Sequence, residues 1–491
     1  MLRRNLASAA GVLGAACEQF PDNDELCLAL AGVYWQLRER VRADALLEAL
    51  LAREPGHVAA ALTLARLRIE LGNGGGAEAV LQRAFEYVQP PDLVLHAARL
   101  LAGAGRKRGA ANLCEAAIAA GSDDPFLRVY VAALHGQLGA FERARAHYVH
   151  ALESDLQTVD AGAAYGLASI KRYADPADPD LSRFNALLER PGLAPAARAS
   201  VLFALGKAHD DLGAYAMAAA ELRSANGLVD HHGWTRKHWR RMVSAKLAAG
   251  PLPSRTPEAD ECIPVFIVGA PRSGTTLVAE LLGRSPQVRN RGELDALPDY
   301  ADELANMGDP DSASRERVAG AYLAQLQQGA AGARWYVDKQ PLNCLHIGLI
   351  RALFPQARIV CCRRSPRDTA LSIWSQHFAS PDYRFAYDLA DIAAVLDGCE
   401  RLLDKARADG PVLDVRYEDL ARDPNAVVGD LAARLGLEPF DCGVPAADNN
   451  AIGTASVWQA RQPVYTRSIG RWRHYAAFVP ELLRFADNDR A

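Results

Sequence analysis

The chain contains a segment whose residue types and spacing suit a phosphate-like anion: Gly269-Ala270-Pro271-Arg272-Ser273-Gly274-Thr275-Thr276. It follows an apolar run, and a helix is predicted to begin at Thr275. A strand, a glycine-bounded loop and a helix N-terminus together direct free amides and the helix dipole at an anion. The two glycines are spaced as in a Walker A loop, but Thr275 and Thr276 stand where that loop continues with lysine. The segment therefore predicts an anion site and argues against ATP or GTP hydrolysis.

The elements that would position this segment are short β-rich runs that alternate with predicted helices. These runs are Val265–Val268, Trp335–Val337, Arg358–Cys362 and Val412–Val415. Such alternation is typical of a parallel sheet covered by helices. We therefore expect an α/β P-loop-like domain with a parallel sheet over residues 265–491.

The first 225 or so residues are rich in Ala and Leu, with apolar residues at helical spacing. Turn-like pairs recur at Leu37-Arg38, Leu71-Gly72, Ala104-Gly105 and Leu138-Gly139, and the spacings are 34, 33 and 34 residues. A period of paired helices near 34 residues resembles the tetratricopeptide repeat and predicts an α solenoid. A fifth pair, Leu212-Gly213, comes 74 residues after the fourth, so we expect an insertion around Tyr173 to Pro195.

The stretch from Gly250 to Pro264 contains four prolines, which indicate a linker. The predicted organisation is a tetratricopeptide-like helical repeat domain over 1–249, a linker over 250–264 and the sheet domain over 265–491. Repeats of this kind expose a concave surface that commonly binds partners. A purely supporting role and a homodimer contact are the alternatives for the repeats.

Composition narrows the class of protein. The chain has 491 residues, of which half are hydrophobic, and a net charge of -4, which argues against a nucleic-acid binder. No apolar run approaches the roughly 20 residues needed to cross a bilayer, so no membrane partner is expected. Nine cysteines without zinc-site spacing favour a reducing, cytoplasmic location, and no motif requires a metal.

The N-terminus, Met1-Leu2-Arg3-Arg4 followed by an Ala/Leu-rich stretch to Cys17, resembles a signal peptide. Its apolar stretch is short and weak in large hydrophobic residues. We therefore expect a first amphipathic helix instead.

The segment Pro271-Arg272-Ser273-Gly274-Thr275-Thr276-Leu277 resembles the 5′-phosphosulfate loop of sulfotransferases that use PAPS (3′-phosphoadenosine 5′-phosphosulfate). Arg272 stands where cytosolic sulfotransferases usually have lysine, so the segment is more similar to the tyrosylprotein branch. The resemblance implies that PAPS is bound by Arg272, Ser273, Gly274, Thr275 and Thr276.

A second segment, Arg364-Ser365-Pro366-Arg367-Asp368 through Ser372, resembles the 3′-phosphate site of the same family. In that site an arginine and a serine eight residues later bind the phosphate. Arg364 can form paired hydrogen bonds to a phosphate, and Ser372, on the following predicted helix, can donate its hydroxyl. Two anion sites at two strand ends suit a nucleotide with phosphates at both ends.

The resemblance also implies a catalytic base and a stabilising lysine. Glu293 is similar to the family's catalytic glutamate, with Asp295 as the second candidate. Lys339 is similar to the lysine that stabilises the transition state. The cytosolic branch uses a histidine, but His346 and His377 lie outside the matching segment, so we prefer Glu293.

The C-terminal part adds three further correspondences. Ser456 lies in a segment similar to the loop that closes over the cofactor, and would donate to the transferring group. Arg471 would correspond to a basic residue on the 3′-phosphate. Tyr417 resembles a residue near the nucleotide, with an ordinary core position as its alternative.

These residues predict a transferase: a PAPS-dependent sulfotransferase that acts on a hydroxyl acceptor. Glu293 would take the acceptor's proton, and Arg272, Lys339 and Ser456 would stabilise developing charge. The repeats favour a protein or peptide acceptor. Two alternatives stay open at this point: a nucleotide-dependent phosphoryl transferase, and a repeat-based scaffold with an inactive nucleotide-binding domain.

Overall fold

The computed structural model describes residues 2–87, 90–154, 162–230, 232–258, 261–294, 296–308, 310–328, 332–378, 380–444 and 464–486. The chain divides into two compact units, Met1–His135 and Gly136–Ala491. Among the described residues, no helix is both long enough and apolar enough to span a bilayer.

The first unit is built from paired helices. They are α1 (Leu2–Gln19), α2 (Asp24–Gln36), α3 (Arg40–Arg53), α4 (Val58–Glu70), α5 (Gly74–Phe85), α6 (Pro91–Gly103) and α7 (Lys107–Ala119), and α8 (Pro125–Leu138) begins here. The N-terminal segment is helical, as predicted. Arg38, Gly72 and Gly105 have φ values of 65°, 78° and 77°, so three predicted turn points adopt the left-handed conformation that reverses the chain after a helix. The period in the sequence is therefore the period of these turns.

The second unit opens with further helices. They are α9 (Phe141–Ser154), α10 (Ala163–Ser169), α11 (Pro179–Leu188), α12 (Pro195–Asp211), α13 (Tyr215–Leu228) and α14 (Arg236–Ala248). The predicted insertion contains α11. Its Asp180 is completely buried and paired with Arg145 at 2.6 Å and Lys171 at 2.7 Å. A buried carboxylate needs such partners, which anchor the insertion to the neighbouring helices.

A parallel five-stranded sheet forms the other part of this unit. Its strands are β1 (Ile263–Gly269), β2 (Val288–Asn290), β3 (Trp335–Asp338), β4 (Arg358–Arg363) and β5 (Leu413–Arg416), in the order β2-β3-β1-β4-β5. All four predicted β runs are confirmed, and β2, with three residues, was not predicted. The central strand β1 is buried along its whole length, as expected of a parallel strand covered on both faces.

Helices cover both faces of the sheet. They are α15 (Thr275–Leu282), α16 (Ala296–Asn306), α17 (Ser312–Gln327), α18 (Ile347–Leu353), α19 (Pro366–Trp374), α20 (Leu389–Asp409), α21 (Tyr417–Arg422), α22 (Pro424–Leu435) and α23 (Trp472–Tyr475). Helices of the 3₁₀ type cover Pro341–His346, Pro381–Tyr387 and Pro480–Arg484. Successive β1 side chains point to opposite faces: Ile267 packs in a core with α15 and α22, whereas Phe266 packs in a core with α17, α18 and α20.

The helices α12 to α14 belong to the same core as the sheet. Phe203 and Leu222 are fully buried in the cluster that also contains Phe266 and Trp374. The Nδ2 of Asn226 donates to the carbonyl of Trp374 at 3.0 Å. Part of the helical region is thus built into the sheet-containing unit.

The predicted linker, 250–264, lies inside this second unit. Arg255 is buried and donates to Glu316 at 3.0 Å, besides pairing with Glu261. The predicted division of the chain at residue 249 stays a prediction.

Candidate active site

The loop between β1 and α15 is shaped by unusual backbone angles. Gly274 has a φ of 100°, and Arg272, which is not a glycine, has a φ of 67°. A Cβ at Gly274 would lie 2.7 Å from Cδ2 of Tyr417, and one at Gly269 would lie 2.5 Å from the carbonyl oxygen of Cys362. Only glycine fits both positions, because contacts this short exclude a side chain. The loop is therefore held in one conformation at the carboxyl edge of the sheet.

The second predicted phosphate site lies against this loop. Arg364 follows β4 directly, and its Nη1 donates to the carbonyl of Arg272 at 3.2 Å. Its guanidinium lies 4.5 Å from the ring centroid of Tyr417. The Nε of Arg272 donates to Oγ of Ser372 on α19 at 3.1 Å. The residues predicted for the two ends of the nucleotide are thus in direct contact, and Tyr417 stacks on one of them.

A cavity of about 560 Å³ opens beside these residues, with Ser273, Arg364 and Glu418 in its lining. Within the described part of the chain, four lining side chains have a buried polar atom without a hydrogen-bond partner: Ser273 Oγ, Arg363 Nε, Arg364 Nε and Thr369 Oγ1. Buried donors of this kind are normally satisfied, and hydroxyls and guanidinium groups are the donors that phosphate oxygens accept from. The side chains present therefore fit a phosphorylated ligand.

Arg471 approaches the same loop from the C-terminal part of the chain. Burial is the main cause that lowers the pKa of Arg272, and the charges of Arg364 and Arg471 lower it further. The guanidinium of Arg471 is itself paired with Asp210, at 2.8 Å between Nη2 and Oδ2. Arg272, Arg364 and Arg471 are thus close enough for the charges of the latter two to act on Arg272. Of the three, Arg471 is paired with a carboxylate from α12.

The predicted base and lysine form an ion pair. The Nζ of Lys339 contacts Oε1 of Glu293, and the lysine side chain is almost fully buried. Burial lowers the pKa of Lys339, and the charge of Glu293 opposes this effect. The backbone amide of Lys339 donates to the carbonyl of Gly292 at 2.7 Å, and that of Arg291 donates to the carbonyl of Val337 at 2.9 Å. The segment before Glu293 therefore runs along the end of β3, which places the Glu293 carboxylate next to Lys339.

Asp338 was missed by the sequence reasoning. It is fully buried and accepts hydrogen bonds from the Leu294 amide at 3.3 Å and from Nδ2 of Asn343 at 3.0 Å, besides one from the Tyr322 hydroxyl. Burial raises the pKa of its carboxyl to about 7. Asp338 thereby fixes the backbone that follows Glu293. Its position in the sequence, between a predicted β run and Lys339, is the one feature that could have pointed to Asp338.

An aromatic group from the helical part was also missed. Tyr165 on α10 and Phe203 on α12 contact His377, with ring centroids 5.7 Å and 5.2 Å apart respectively. Burial raises the pKa of Tyr165, and the charge of Arg272 is among the opposing causes, so the phenol lies within electrostatic reach of the loop. Nothing in the local sequence around Tyr165 signals this contact.

The remaining predicted residues are placed as follows. His377 is part of the aromatic group, and burial lowers its pKa to about 4. His346 ends the 3₁₀ helix after Lys339, and burial lowers its pKa to about 4 as well. Thr275 and Thr276 form the first turn of α15. Ser456 and Asp295 lie outside the described residues.

Comparison with known proteins bears on both parts of the chain. Residues 264–441 match the model of the sulfotransferase family, and residues 40–99 match the tetratricopeptide-repeat model. An uncharacterised protein of Aquifex aeolicus (strain VF5) is 26% identical over 365 residues, which are 68% of this chain and 47% of that protein.

Two further relatives carry functional names. The nodulation protein NoeE of Sinorhizobium fredii is 27% identical over 35% of this chain and 50% of its own. A putative protein-tyrosine sulfotransferase of Caenorhabditis briggsae is 23% identical over 46% of this chain and 85% of its own. The chain spans about half the length of the first two relatives.

Among solved structures, the sulfotransferases STF9 of Mycobacterium avium and STF1 of Mycobacterium tuberculosis H37Rv are each 16% identical to this chain. Each comparison covers 62% of this chain and 98% of the other, with TM-scores of 0.27 and 0.26. The two family-model matches confirm the resemblances found in the sequence. The chain therefore carries tetratricopeptide repeats followed by a domain of the sulfotransferase family.

Proposed function

We propose that this protein is a PAPS-dependent sulfotransferase that acts on a hydroxyl acceptor. One observation carries the proposal: β3, β1 and β4 are neighbours in the sheet. Lys339, which pairs with Glu293, follows β3, the loop that contains Arg272 follows β1, and Arg364 follows β4. The carboxyl ends of parallel strands meet at one edge of a sheet, where ligands of open α/β folds bind. A base, a buried lysine and two phosphate-binding arginines are thereby gathered at one edge.

Residues on both strand ends would hold the cofactor. The amides and hydroxyls from Ser273 to Thr276 face the 5′ side, with Gly274 allowing close backbone approach. Arg364 and Ser372 take the 3′-phosphate, with Arg471 as a further cation. The unpartnered Ser273 Oγ and Arg364 Nε support this assignment, because a phosphorylated ligand would satisfy them. Tyr417, stacked on Arg364, supports the nucleotide side of the site.

When bound, PAPS supplies the sulfuryl group: its sulfur–oxygen bond to the 5′-phosphate breaks as the bond from sulfur to the acceptor oxygen forms, which leaves PAP (3′-phosphoadenosine 5′-phosphate). Glu293 takes the hydroxyl proton of the acceptor at its carboxylate. The contact with Lys339 holds that carboxylate in a defined position next to the buried ammonium group. The charge of Lys339 is weakly screened because the side chain is buried, so it stabilises negative charge effectively.

Two assignments in the proposal rest on the resemblance alone. Ser456 would donate to the transferring group, and Asp295 is the second candidate for the base. Arg272 completes the charge-stabilising set, and its left-handed backbone places the side chain against Ser372. No step of this proposal requires a metal.

We propose a protein or peptide as the acceptor. The repeats support this choice, since solenoids of this kind commonly bind polypeptides. The name of the Caenorhabditis briggsae relative points in the same direction. All nine cysteines are free, which supports a reducing, cytoplasmic location. A homodimer through the repeats is a further proposal.

Titration calorimetry of the full chain with PAP, ATP and GTP tests the nucleotide assignment. We expect tight binding of PAP and weak binding of the two triphosphates. Tight ATP binding without PAP binding would instead refute the sulfotransferase proposal and favour a nucleotide-dependent phosphoryl transferase. Incubation with ³⁵S-labelled PAPS and a cell extract then tests transfer, and separation of the labelled products identifies protein, glycan or small-molecule acceptors. PAP binding without any transfer would support the inactive scaffold.

A further inference from the structure

A carboxylate of the helical region holds one of the three arginines of the candidate site. Asp210 is the second-last residue of α12, and Arg471 lies 261 residues further along the chain. Nη2 of Arg471 lies 2.8 Å from Oδ2 of Asp210, and its Nε donates to Oδ1 at 3.2 Å. The pair is therefore bidentate, which is the geometry that fixes the plane of a guanidinium group.

From this geometry we infer that Asp210 is a positioning residue for cofactor binding: it orients Arg471 toward the 3′-phosphate. The inference rests on the proposed function. Asp210 would not touch the cofactor itself, and would act through Arg471.

The backbone on both sides of Arg471 is fixed independently. Asp368, on α19, accepts a hydrogen bond from the Gly470 amide at 2.6 Å and from the Trp472 amide at 2.9 Å. Once the backbone is held in this way, the contacts with Asp210 and Tyr475 set the direction of the arginine side chain. The contacts with Asp210 use the Nε and Nη2 side of the guanidinium, and a planar group of this kind can offer its other side to a second anion.

Asp210 is itself held in place. The hydroxyl of Tyr475 donates to its Oδ1 at 2.6 Å. Tyr475 is buried and packs edge-on against Tyr215 of α13, with ring centroids 5.4 Å apart. The carboxylate therefore has a fixed position relative to both α12 and the C-terminal segment, as a residue that positions another must have.

Repulsion between positive charges explains why Arg471 needs a carboxylate partner at this position. Arg272, Arg364 and Arg471 are close enough for the latter two to lower the pKa of Arg272. Like charges in a buried region repel one another, and a free Arg471 would turn its guanidinium away from the other two. The carboxylate of Asp210 offsets this repulsion and keeps the third positive charge near the site.

The helix that carries Asp210 reaches the site at a second point. Phe203 of α12 stacks on His377 with a ring separation of 5.2 Å, next to Tyr165. The helical region thus contributes Tyr165, within electrostatic reach of Arg272, as well as the carboxylate. This agrees with the burial of α12 in the core of the sheet-containing unit.

The test is calorimetric binding of two nucleotides to the full chain. PAP carries the 3′-phosphate, and AMP lacks it. For Asp210→Asn we expect the dissociation constant for PAP to rise about tenfold, as for other residues that orient a binding group, while that for AMP stays unchanged. Asp210→Glu should recover part of the PAP affinity. Asp230→Asn is the charge-matched control, since Asp230 is exposed on the surface, and should behave as the parent protein.

A double-mutant cycle tests whether Asp210 acts on PAP binding through Arg471. If Asp210 acts through Arg471, Arg471→Gln combined with Asp210→Asn should bind PAP no more weakly than Arg471→Gln alone. Tyr475→Phe removes the hydroxyl that contacts both Asp210 and Arg471, and it keeps every charge. It should weaken PAP binding by a smaller factor than Asp210→Asn does. If Asp210→Asn fails to fold, the PAP affinity of Tyr475→Phe tests the inference instead.

Three outcomes overturn the inference. Tighter PAP binding by Asp210→Asn would mean that the carboxylate merely competes with the phosphate for Arg471. Unchanged PAP binding would mean that the pair is structural, and equal losses for PAP and AMP would indicate general damage to the site. A parent protein that binds no PAP would refute the proposed function instead, so the two failures are distinguishable.

Discussion

The Nε of Arg272 donates a hydrogen bond to Oγ of Ser372 across 3.1 Å, although the two residues are 100 positions apart in sequence. The first lies in the loop after β1, and the second lies on α19 after β4. Their contact joins the two anion sites that the sequence predicted separately. A substitution at one of these sites should therefore also change ligand binding at the other.

Ser372→Ala should weaken PAP binding about tenfold, because it removes a hydroxyl from the proposed 3′-phosphate site and the acceptor of the Arg272 hydrogen bond. AMP binding should fall less, since AMP has no 3′-phosphate. Calorimetry with both nucleotides measures the difference. Ser224→Ala, at an exposed serine of α13 whose hydroxyl donates to the Ala220 carbonyl, is the control and should leave the PAP/AMP ratio unaltered. Equal affinities of Ser372→Ala and the parent protein for PAP would remove Ser372 from the site.

Glu293→Gln should lower the turnover number by about 10²–10³-fold, because the amide cannot accept the proton of the acceptor. The dissociation constant for PAP should change little, as Glu293 is assigned to the acceptor side. Initial rates with ³⁵S-labelled PAPS and calorimetry with PAP measure the two effects. Glu303→Gln, at an exposed ion pair with Arg317, serves as the control. Full turnover in a folded Glu293→Gln protein would rule out this residue as the base.

Gly274→Ala should abolish tight PAP binding and lower the stability by about 1–2 kcal/mol from the left-handed backbone alone. The new Cβ would also lie 2.7 Å from the Tyr417 ring, so the loop or the ring must move. Gly308→Ala is the control, because Gly308 also has a positive φ but open space around it. It should lose comparable stability and keep PAP affinity. Melting curves and calorimetry separate the two effects, and parent-like PAP binding by Gly274→Ala would contradict the close-approach argument.

The stability of the protein should depend on pH through Asp338. Burial raises the pKa of this carboxyl from 3.8 to about 7 in the folded state. Between these values the folded protein binds the proton more strongly than the unfolded chain, so this group makes folding less favourable as the pH rises. Asp338→Asn removes this contribution. Relative to the parent protein, the variant should therefore gain stability as the pH rises from about 4 to about 7.

Urea denaturation of both proteins across that pH window measures the difference. Asp311→Asn is a suitable control. Hydrogen bonds from Ser314 lower the pKa of this exposed helix-capping carboxyl below its ordinary value, so the pH profile of the variant should run parallel to that of the parent protein across the window. Parallel pH profiles for the parent protein and Asp338→Asn would show that Asp338 does not titrate in this window.

Features encoded by local pattern were predictable from the sequence. The turn points at Gly72, Gly105 and Gly139 are left-handed because helix ends need that conformation, and glycine marks them. The strands β1, β3, β4 and β5 are apolar runs of sufficient length, whereas β2 has only three residues and leaves no pattern. The loop from Gly269 and the start of α15 followed from residue types alone.

Features created by packing were not predictable. The Asp210–Arg471 pair joins residues from α12 and the C-terminal segment, and neither has a local signal for the other. Tyr165 and His377 are likewise brought together only by the fold. Glu293 and Lys339 were found individually through the family resemblance, but their ion pair depends on how the segment before Glu293 runs along β3. Long-range contacts of this kind require the topology, which a single sequence does not supply.

The shared core of α12, α13 and the sheet restricts how this protein could be altered in evolution. Phe203 and Leu222 cover the same apolar surface as Phe266 and Trp374, so these helices have a fixed complementary face. Repeats nearer the N-terminus could be gained, lost or exchanged in evolution without touching that face. The helices from α12 onward could not be replaced in the same way, because a foreign repeat would leave the sheet partly uncovered. Changes in α12 and α13 should therefore be accompanied by changes in the residues of the sheet-containing core that they cover.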